Sequence, residues 1–304
     1  MIKLRKSPVV FNEDDHTYFL GDKQLCGVTS TLIRRAFPDK YKDIDPEVLA
    51  EAARKGKELH AAIEFHDQFR GAAEGEDERI GLYDEVKDSQ QLTTVANEYL
   101  VSDEHRYASS IDIVMHNKDG EICLVDIKTT WHLDRQSTGL QLSIYKRFFE
   151  MQNPGMEVRH IYVLWLPNRD HTICEFHELA VVADENIDAL IEADIADKPF
   201  QFELIPDEWA DLERQYAFWS QKKEQAEKYL TTAKERMMSV MQNANIATVR
   251  TNAFTVSFIP AKKSTRFDSA TFKKENADLY SRYAKETETA ASVRVTPKKD
   301  KDSN

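Results

Sequence analysis

The sequence predicts an α/β protein with a central mixed β-sheet flanked by helices, followed by a helical C-terminal appendage. Short runs rich in Val, Ile and Tyr alternate with helical patterns up to residue 182, and a long charge-laced helical pattern follows. The 304 residues suit one large domain, or one domain with an appendage. We therefore expect a core over 1–182, a mainly helical region with a short hairpin over 183–290, and a disordered polar tail over 291–304.

Composition and charge exclude several classes of protein. The mean hydropathy of -0.58 and the lack of a long apolar run exclude a membrane protein. Residues 1–6 are basic but lead into a polar segment, so we expect no secretory signal and a cytoplasmic location. The net charge of -12 argues against a protein that coats nucleic acid non-specifically. Cys26, Cys123 and Cys174 are too widely spaced for a disulfide framework or a zinc site.

The N-terminal segments predict a hairpin and two helices. Residues 8–26 alternate between apolar and polar side chains, which indicates a hairpin. Residues 28–30 predict the start of a short helix, because Ser and Thr hydroxyls can accept from free backbone amides. Pro46 fits the first turn of a longer helix that runs to about residue 70, and the segment 71–77 ends it.

Three consecutive strands and a further helix form the centre of the predicted core. The runs 94–102, 109–116 and 121–130 are rich in Val, Ile and Tyr and predict an antiparallel meander. The elements that follow are a helix and two strands, over 136–151, 160–167 and 172–180.

Beyond the core the pattern becomes helical. Helices are predicted over 184–195 and 208–243, and the apolar stripe of the second indicates packing on its own domain or on a partner rather than a cofactor site. A short hairpin over 248–259 and a helix over 268–285 complete the appendage.

The third strand of the predicted meander carries both a carboxylate and an amine. Strand alternation places Asp126 and Lys128 on one face, and Val125 and Ile127 on the other. Charges in an apolar run lose solvation, which a bound divalent cation together with a phosphate would compensate. Asp112, on the preceding strand, is expected to share that cation.

These side chains fit the hydrolysis of a phosphodiester. The reaction needs a Lewis acid, a water that is nucleophilic at neutral pH, and in-line placement of that water. Two carboxylates can hold Mg²⁺ through oxygen and leave positions for water and phosphate. Lys128 can orient the water and stabilise the charge that forms on the phosphoryl oxygens.

An ordered series of motifs resembles the PD-(D/E)XK nucleases of the RecB-like branch, including YqaJ-like phage recombination exonucleases. The series runs through Gly56 and His60, Asp112, Asp126-Ile127-Lys128, and Gln141 with Tyr145 four residues later. The likeness covers roughly residues 10–180. This chain has Ala108-Ser109-Ser110 where the family often has Ala-Gly, so the backbone there is expected to follow a slightly different path.

The resemblance implies a restriction-endonuclease-like core and a role for each matching residue. The catalytic residues would be Asp112, Asp126 and Lys128; the metal ligands His60, Asp112, Asp126 and the carbonyl of Ile127; and the supporting or DNA-contacting residues Gln141, Tyr145 and Glu98. The implied cofactor is Mg²⁺, with Mn²⁺ as a substitute. Iron–sulfur relatives use four cysteines, so three scattered ones exclude that cluster.

The implied activity is a DNA exonuclease that acts on linear duplex ends in phage-type recombination or end processing. Its implied partners are linear double-stranded DNA and a single-strand annealing recombination protein, and an oligomer is compatible with it. A phage-encoded chain would work in the host cytoplasm.

Other interpretations stay open at this point. A lone Asp-x-Lys is common, and Gln141 and Tyr145 could equally be ordinary helix residues. A structure-selective or defence endonuclease would share the metal centre, and closed circular DNA separates it from an exonuclease. A non-catalytic DNA-binding or scaffolding protein would have no reason to retain Asp112, Asp126 and Lys128 together.

Overall fold

The computed structural model describes residues 2–13, 15–42, 44–69, 77–261, 265 and 267–285. The chain forms two compact units, Met1–Gln225 and Ala226–Asn304. The first unit extends past residue 182, where the sequence predicted the end of the core, and so includes the helix that follows. The predicted tail over 291–304, and all but residue 77 of the segment predicted to end the long helix, lie outside the described residues.

A mixed sheet of eight strands forms the centre of the first unit. Its strands are β1 Val10–Asn12, β2 Thr17–Leu20, β3 Lys23–Gly27, β4 Thr93–Ser102, β5 Tyr107–His116, β6 Ile122–Lys128, β7 Val158–Trp165 and β8 Glu175–Glu178. The order is β1-β2-β3-β5-β6-β7-β8, with β4 also paired to β5. The β3–β5 and β6–β7 pairs are parallel and the others antiparallel. The predicted hairpin, meander and mixed sheet are confirmed.

Helices flank this sheet, also as predicted. They are α1 Arg34–Ala36, α2 Pro46–Phe69, α3 Arg79–Gln90, α4 Arg135–Gln152 and α5 Asp184–Ile195. A π-helical turn, Thr29–Ile33, precedes α1, and its N-cap Val28 carries no side-chain cap, so the predicted hydroxyl capping is wrong. The helix α3, which buries Ile80 and Tyr83, was not predicted from the sequence.

The two faces of β6 belong to two different parts of the core. Ile122 and Leu124 pack with α4 residues such as Phe148 on one face. Val125 and Ile127 pack on the opposite face, in a cluster that also contains residues of α2 and α3. This alternation is the predicted one, and it leaves Asp126 and Lys128 on the face that α4 covers.

Asp67, near the end of α2, joins three elements through one buried carboxylate. It accepts hydrogen bonds from Tyr83 Oη at 2.6 Å and Lys87 Nζ at 2.5 Å on α3. On β4, Thr94 Oγ1 and Asn97 Nδ2 donate to it at 3.1 and 3.0 Å. Its side chain is 3% exposed, and these donors, above all Lys87, outweigh burial and lower its pKa.

Asp67→Ala is expected to lower the free energy of unfolding by about 2–4 kcal/mol, because it leaves buried donors without an acceptor. A depressed folded-state pKa gives stability that is present above the unfolded pKa near 4 and is lost as pH falls. The difference from wild type in urea unfolding should therefore shrink in acid. Asp88→Ala, on the exposed side of α3, is the control, and equal stability of the two variants would contradict the prediction.

The remaining elements begin with α6, Trp209–Asn243, in which the division between the two units falls. The second unit contains the predicted hairpin, β9 Thr248–Arg250 with β10 Thr255–Ser257. The single helix predicted over 268–285 is wrong: α7 Ser269–Glu275 and α8 Ala277–Tyr283 are separated by Asn276, whose backbone is not helical. Among the described residues, none of the helices has the length and apolar character needed to cross a membrane.

Candidate active site

Asp126 and Lys128 project together from the end of β6 towards α4. The Lys128 Nζ lies 2.5 Å from Asp126 Oδ2, as an ion pair. From α4, Gln141 Nε2 donates to Asp126 Oδ1 at 2.6 Å, and its Oε1 accepts from Lys128 Nζ at 3.5 Å. Asp126 is 1% exposed. The amide of Gln141 therefore fixes both charged groups, which corresponds to the supporting role predicted for it.

Asp112 and His60 are held by the backbone of the next residue on β6. The amide of Ile127 donates to Asp112 Oδ2 at 2.7 Å. The carbonyl of Ile127 lies 3.2 Å from His60 Nε2, within hydrogen-bonding distance. On the other side of the ring, His60 Nδ1 is 3.8 Å from Asp112 Oδ2. The backbone of one residue, Ile127, thus contacts both side chains, and α2 brings His60 to the sheet.

Glu98 lies beside this pair, on β4. Its neighbours on β4 pair with the neighbours of Asp112 on β5, so the two carboxylates lie across from each other. Glu98 Oε1 is 3.7 Å from His60 Nδ1, and Ser110 Oγ donates to Oε2 at 2.7 Å. Its backbone has φ of +44°, a left-handed conformation that costs a non-glycine residue about 1–3 kcal/mol. Strain of this kind persists where surrounding contacts enforce it, and the contacts with His60 and Ser110 are of that kind.

The cluster with metal-binding geometry shares His60 and Asp112 with the predicted ligand set and adds Glu98, while the predicted carbonyl of Ile127 faces His60 Nε2. One ligand atom each from His60, Glu98 and Asp112 lies within 4.8 Å of the others. Asp126 is outside that trio, although its charge affects the pKa values of His60 and Asp112. Glu98, for which the resemblance implied a supporting or DNA-contacting role, is the third member of the trio.

The donor chemistry of these residues fits a divalent cation. Carboxylate oxygens with one imidazole suit Mg²⁺ and, better, Mn²⁺. Asp126 Oδ2 is buried, and the Lys128 ammonium lies 2.5 Å from it. A carboxylate oxygen has two lone pairs, so this atom has room for a cation beside the ammonium. We therefore regard His60, Glu98, Asp112 and Asp126 as the residues that would hold the ion.

Without a cation, the charged groups of the site perturb one another. Burial disfavours protonated His60, but the carboxylates of Asp112 and Glu98 outweigh it and raise the pKa of His60 to about 9. Burial raises the pKa of Asp112 to about 7, against the opposing effect of His60. Burial likewise disfavours charged Lys128, yet Asp126 and Asp112 raise its pKa. His60 in this state carries a proton that a metal ligand must lose.

Metal binding is therefore expected to release protons and to strengthen with pH. Below pH 7 both Asp112 and His60 hold protons that compete with the ion, and above pH 9 neither does. Titration calorimetry with Mn²⁺ in buffers of different ionisation enthalpy would count the protons at each pH. Metal binding to the His60→Gln variant should release fewer protons than binding to wild type. The His105→Gln variant, changed in an exposed turn, should release as many as wild type. Affinity that does not vary with pH would contradict the expectation.

Tyr145 lies deeper in the core than a DNA contact requires. Its hydroxyl accepts from Ser109 Oγ at 2.7 Å, and Thr29 Oγ1 is 3.3 Å away. The side chain is 2% exposed, so it joins α4 to β5 and to the π-helical turn. Ser109 and Ser110 each contact one residue of the site region, Tyr145 and Glu98 respectively. Nothing in the local sequence predicts these contacts, because they depend on how the strands pair.

Comparisons with known proteins add little to this geometry. No protein-family model matches the chain, and no curated protein matches it. Among solved structures, the chain is similar to SSO0001, known from its crystal structure, with a TM-score of 0.36 and 17% identity over 59% of this chain and 79% of that one. At this level of similarity, the site has to be interpreted from its own residues.

Proposed function

We propose that this chain is a metal-dependent nuclease with a PD-(D/E)XK core, which hydrolyses DNA phosphodiester bonds from duplex ends. The observation that carries the proposal is the meeting of Asp112, Asp126 and Lys128 with His60 and Glu98 at the end of β6. These groups come from three strands and one helix, and they combine oxygen ligands with a fixed amine. Hydrolysis of a phosphodiester needs that combination.

Each residue has a distinct task in this proposal. A divalent cation held by His60, Glu98, Asp112 and Asp126 would supply Lewis acidity and a nucleophilic water near neutral pH. Lys128, which its neighbours keep protonated, donates to the phosphoryl oxygens and orients the attacking water. The amide of Ile127 and the side chain of Gln141 keep the two aspartates in place, so little reorganisation is needed when substrate binds.

The overall charge restricts contact with DNA to local groups. A net charge of -12 gives no general attraction to phosphates, so binding would depend on residues at the site itself. Action at duplex ends rests on the resemblance to recombination exonucleases, and cutting within DNA is the alternative that shares the same chemistry.

Purified full-length protein should be incubated with Mg²⁺ and end-labelled linear duplex beside closed circular DNA. An exonuclease degrades the linear molecule and leaves the circle intact, whereas an endonuclease nicks or linearises the circle. EDTA should stop either reaction, since the cation is required. Failure to cut any DNA with Mg²⁺ or Mn²⁺ would refute the proposal and favour a binding or scaffolding protein.

A further inference from the structure

Two indole rings and one guanidinium meet just beyond the ends of β6 and β7. The Arg169 Cζ lies 5.4 Å from the ring centroid of Trp131 and 5.5 Å from that of Trp165. Trp165 is almost fully buried, whereas Trp131 is 65% exposed. Both contacts are within the range of cation–π attraction, and one aromatic surface of this group remains open to solvent. We call these three side chains the aromatic step.

Hydrogen bonds fix the segments that carry the aromatic step. Trp165 Nε1 donates to the carbonyl of Thr130 at 2.8 Å, and the amide of Asn168 donates to the carbonyl of Thr129 at 3.1 Å. The buried Arg79 donates from Nη1 to Asn168 Oδ1 at 2.9 Å. The segment after β6 and the loop after β7 are thereby held together. A ligand would meet a surface that is already ordered, which lowers the entropy lost on binding.

Two polar groups of the aromatic step, the guanidinium of Arg169 and the indole nitrogen of Trp131, are free to bind a ligand. Within the described part of the chain, Arg169 makes no hydrogen bond or ion pair, and neither does the indole nitrogen of Trp131. The adjacent Asp170 accepts instead from the amide and hydroxyl of Thr172, at 3.0 and 2.7 Å. A guanidinium that is stacked on aromatic rings and keeps its donors free is suited to phosphate. A single exposed tryptophan would be unremarkable without this arginine.

The aromatic step adjoins the candidate active site along the chain and across the sheet. Trp165 pairs directly with Lys128 in the parallel register of β6 and β7. Trp131 follows Lys128 by three residues, which separates their α carbons by at most about 10 Å. That distance is about three steps of a stacked nucleic-acid strand, at about 3.4 Å per step. A strand with one phosphate at Lys128 can therefore place a nearby base at Trp131.

We propose that the aromatic step stacks an unpaired base on Trp131 while Arg169 contacts a neighbouring phosphate. The inference rests on the proposed nuclease function and specifies its substrate as DNA ends with unpaired nucleotides. A base inside a duplex has both faces covered by its neighbours, whereas an unpaired base offers a free face to an aromatic side chain. The aromatic step thus selects frayed or overhanging DNA ends and holds the unpaired strand close to Lys128.

The test is a binding measurement that does not need cleavage. Asp126→Asn protein, with Ca²⁺ in place of Mg²⁺, is titrated against a fluorescent duplex whose one free end carries a few unpaired nucleotides, its other end being closed by a loop. The same duplex with its free end fully paired, and one with abasic sites in the unpaired stretch, are the comparison ligands. Trp131→Ala and Trp131→Phe are added to this background. Trp219→Ala, an equally exposed tryptophan on α6, is the matched control.

Trp131→Ala should weaken binding to the unpaired end about fivefold to a hundredfold, the range of one lost base stack. Binding to the paired end should change less than about twofold, Trp131→Phe should retain most of the affinity, and abasic sites should reproduce the loss. Unchanged affinity in Trp131→Ala, or an equal loss for paired and unpaired ends, would overturn the inference. A separate measurement tests the nuclease proposal: if the wild-type protein cleaves no DNA with Mg²⁺ or Mn²⁺, that proposal fails.

Discussion

Replacing Asp126 with alanine is expected to slow DNA hydrolysis by about a thousandfold or more, while the chain still folds. The substitution removes a carboxylate that would hold the cation, and it frees Lys128 from its ion pair at 2.5 Å. Asp126 is not part of either apolar cluster beside β6, so its loss removes no hydrophobic contact. The rate of release of end-labelled nucleotides in Mg²⁺ measures the effect, and circular dichroism checks the fold.

Two further variants sharpen this experiment. Asp126→Asn keeps an acceptor for Gln141 and removes only the charge, so it should be nearly as inactive as alanine if the carboxylate binds the cation. Asp119→Ala, in the exposed turn between β5 and β6, should keep full activity. Near-wild-type digestion of linear DNA by Asp126→Ala would falsify the assignment of this residue to the active site.

The strand that carries Asp126 and Lys128 could be predicted because its signal is local. Alternation along β6 fixes which side chains share a face, and Asp126 and Lys128 had to emerge together between Val125 and Ile127. The helix α4 could be predicted equally well, because the spacing of its apolar residues is a local pattern. The pairing of Gln141 with Asp126 then follows from packing α4 on that face.

The position of Glu98 could not be predicted from the sequence in this way, because it depends on the register between β4 and β5. Regular alternation would give Ile111 and Ile113 the same face, yet they belong to opposite clusters, so the strand is irregular at Asp112. Across from it, Glu98 has a left-handed backbone. Local propensity gives no sign of either feature. Such departures from ideal strands are most often found at functional sites.

The helix α3 was missed for a different reason. Much of its surface is charged, and its apolar pattern is short, so no helical stripe stands out in the sequence. Its position is determined by tertiary contacts, above all Tyr83 and Lys87 on the buried carboxylate of Asp67. Elements held mainly by such contacts are poorly predicted from local pattern.

Replacing Lys128 with alanine is expected to reduce the rate about a hundredfold to a thousandfold and to leave metal binding intact. In the proposed mechanism the amine acts on the phosphate and the water rather than on the ion, so the rate and the metal affinity should separate. Its removal also leaves Asp126 buried without its counter-charge in metal-free protein, which is destabilising. Added Mg²⁺ should therefore raise the melting temperature of Lys128→Ala more than that of wild type.

That difference separates a catalytic lysine from a merely structural partner of Asp126. If Lys128 were only a structural partner of Asp126, Lys128→Ala would lose activity only through misfolding. Added Mg²⁺ would then restore the stability and the rate of this variant together. If the lysine is catalytic, the rate of Lys128→Ala stays low after its stability has recovered, because the variant lacks the amine that would stabilise charge on the phosphoryl oxygens. Lys118→Ala, on the exposed β5–β6 turn, serves as the control and should change neither quantity. Loss of Mn²⁺ affinity in Lys128→Ala, measured by calorimetry, would mean that the amine acts through the metal site instead.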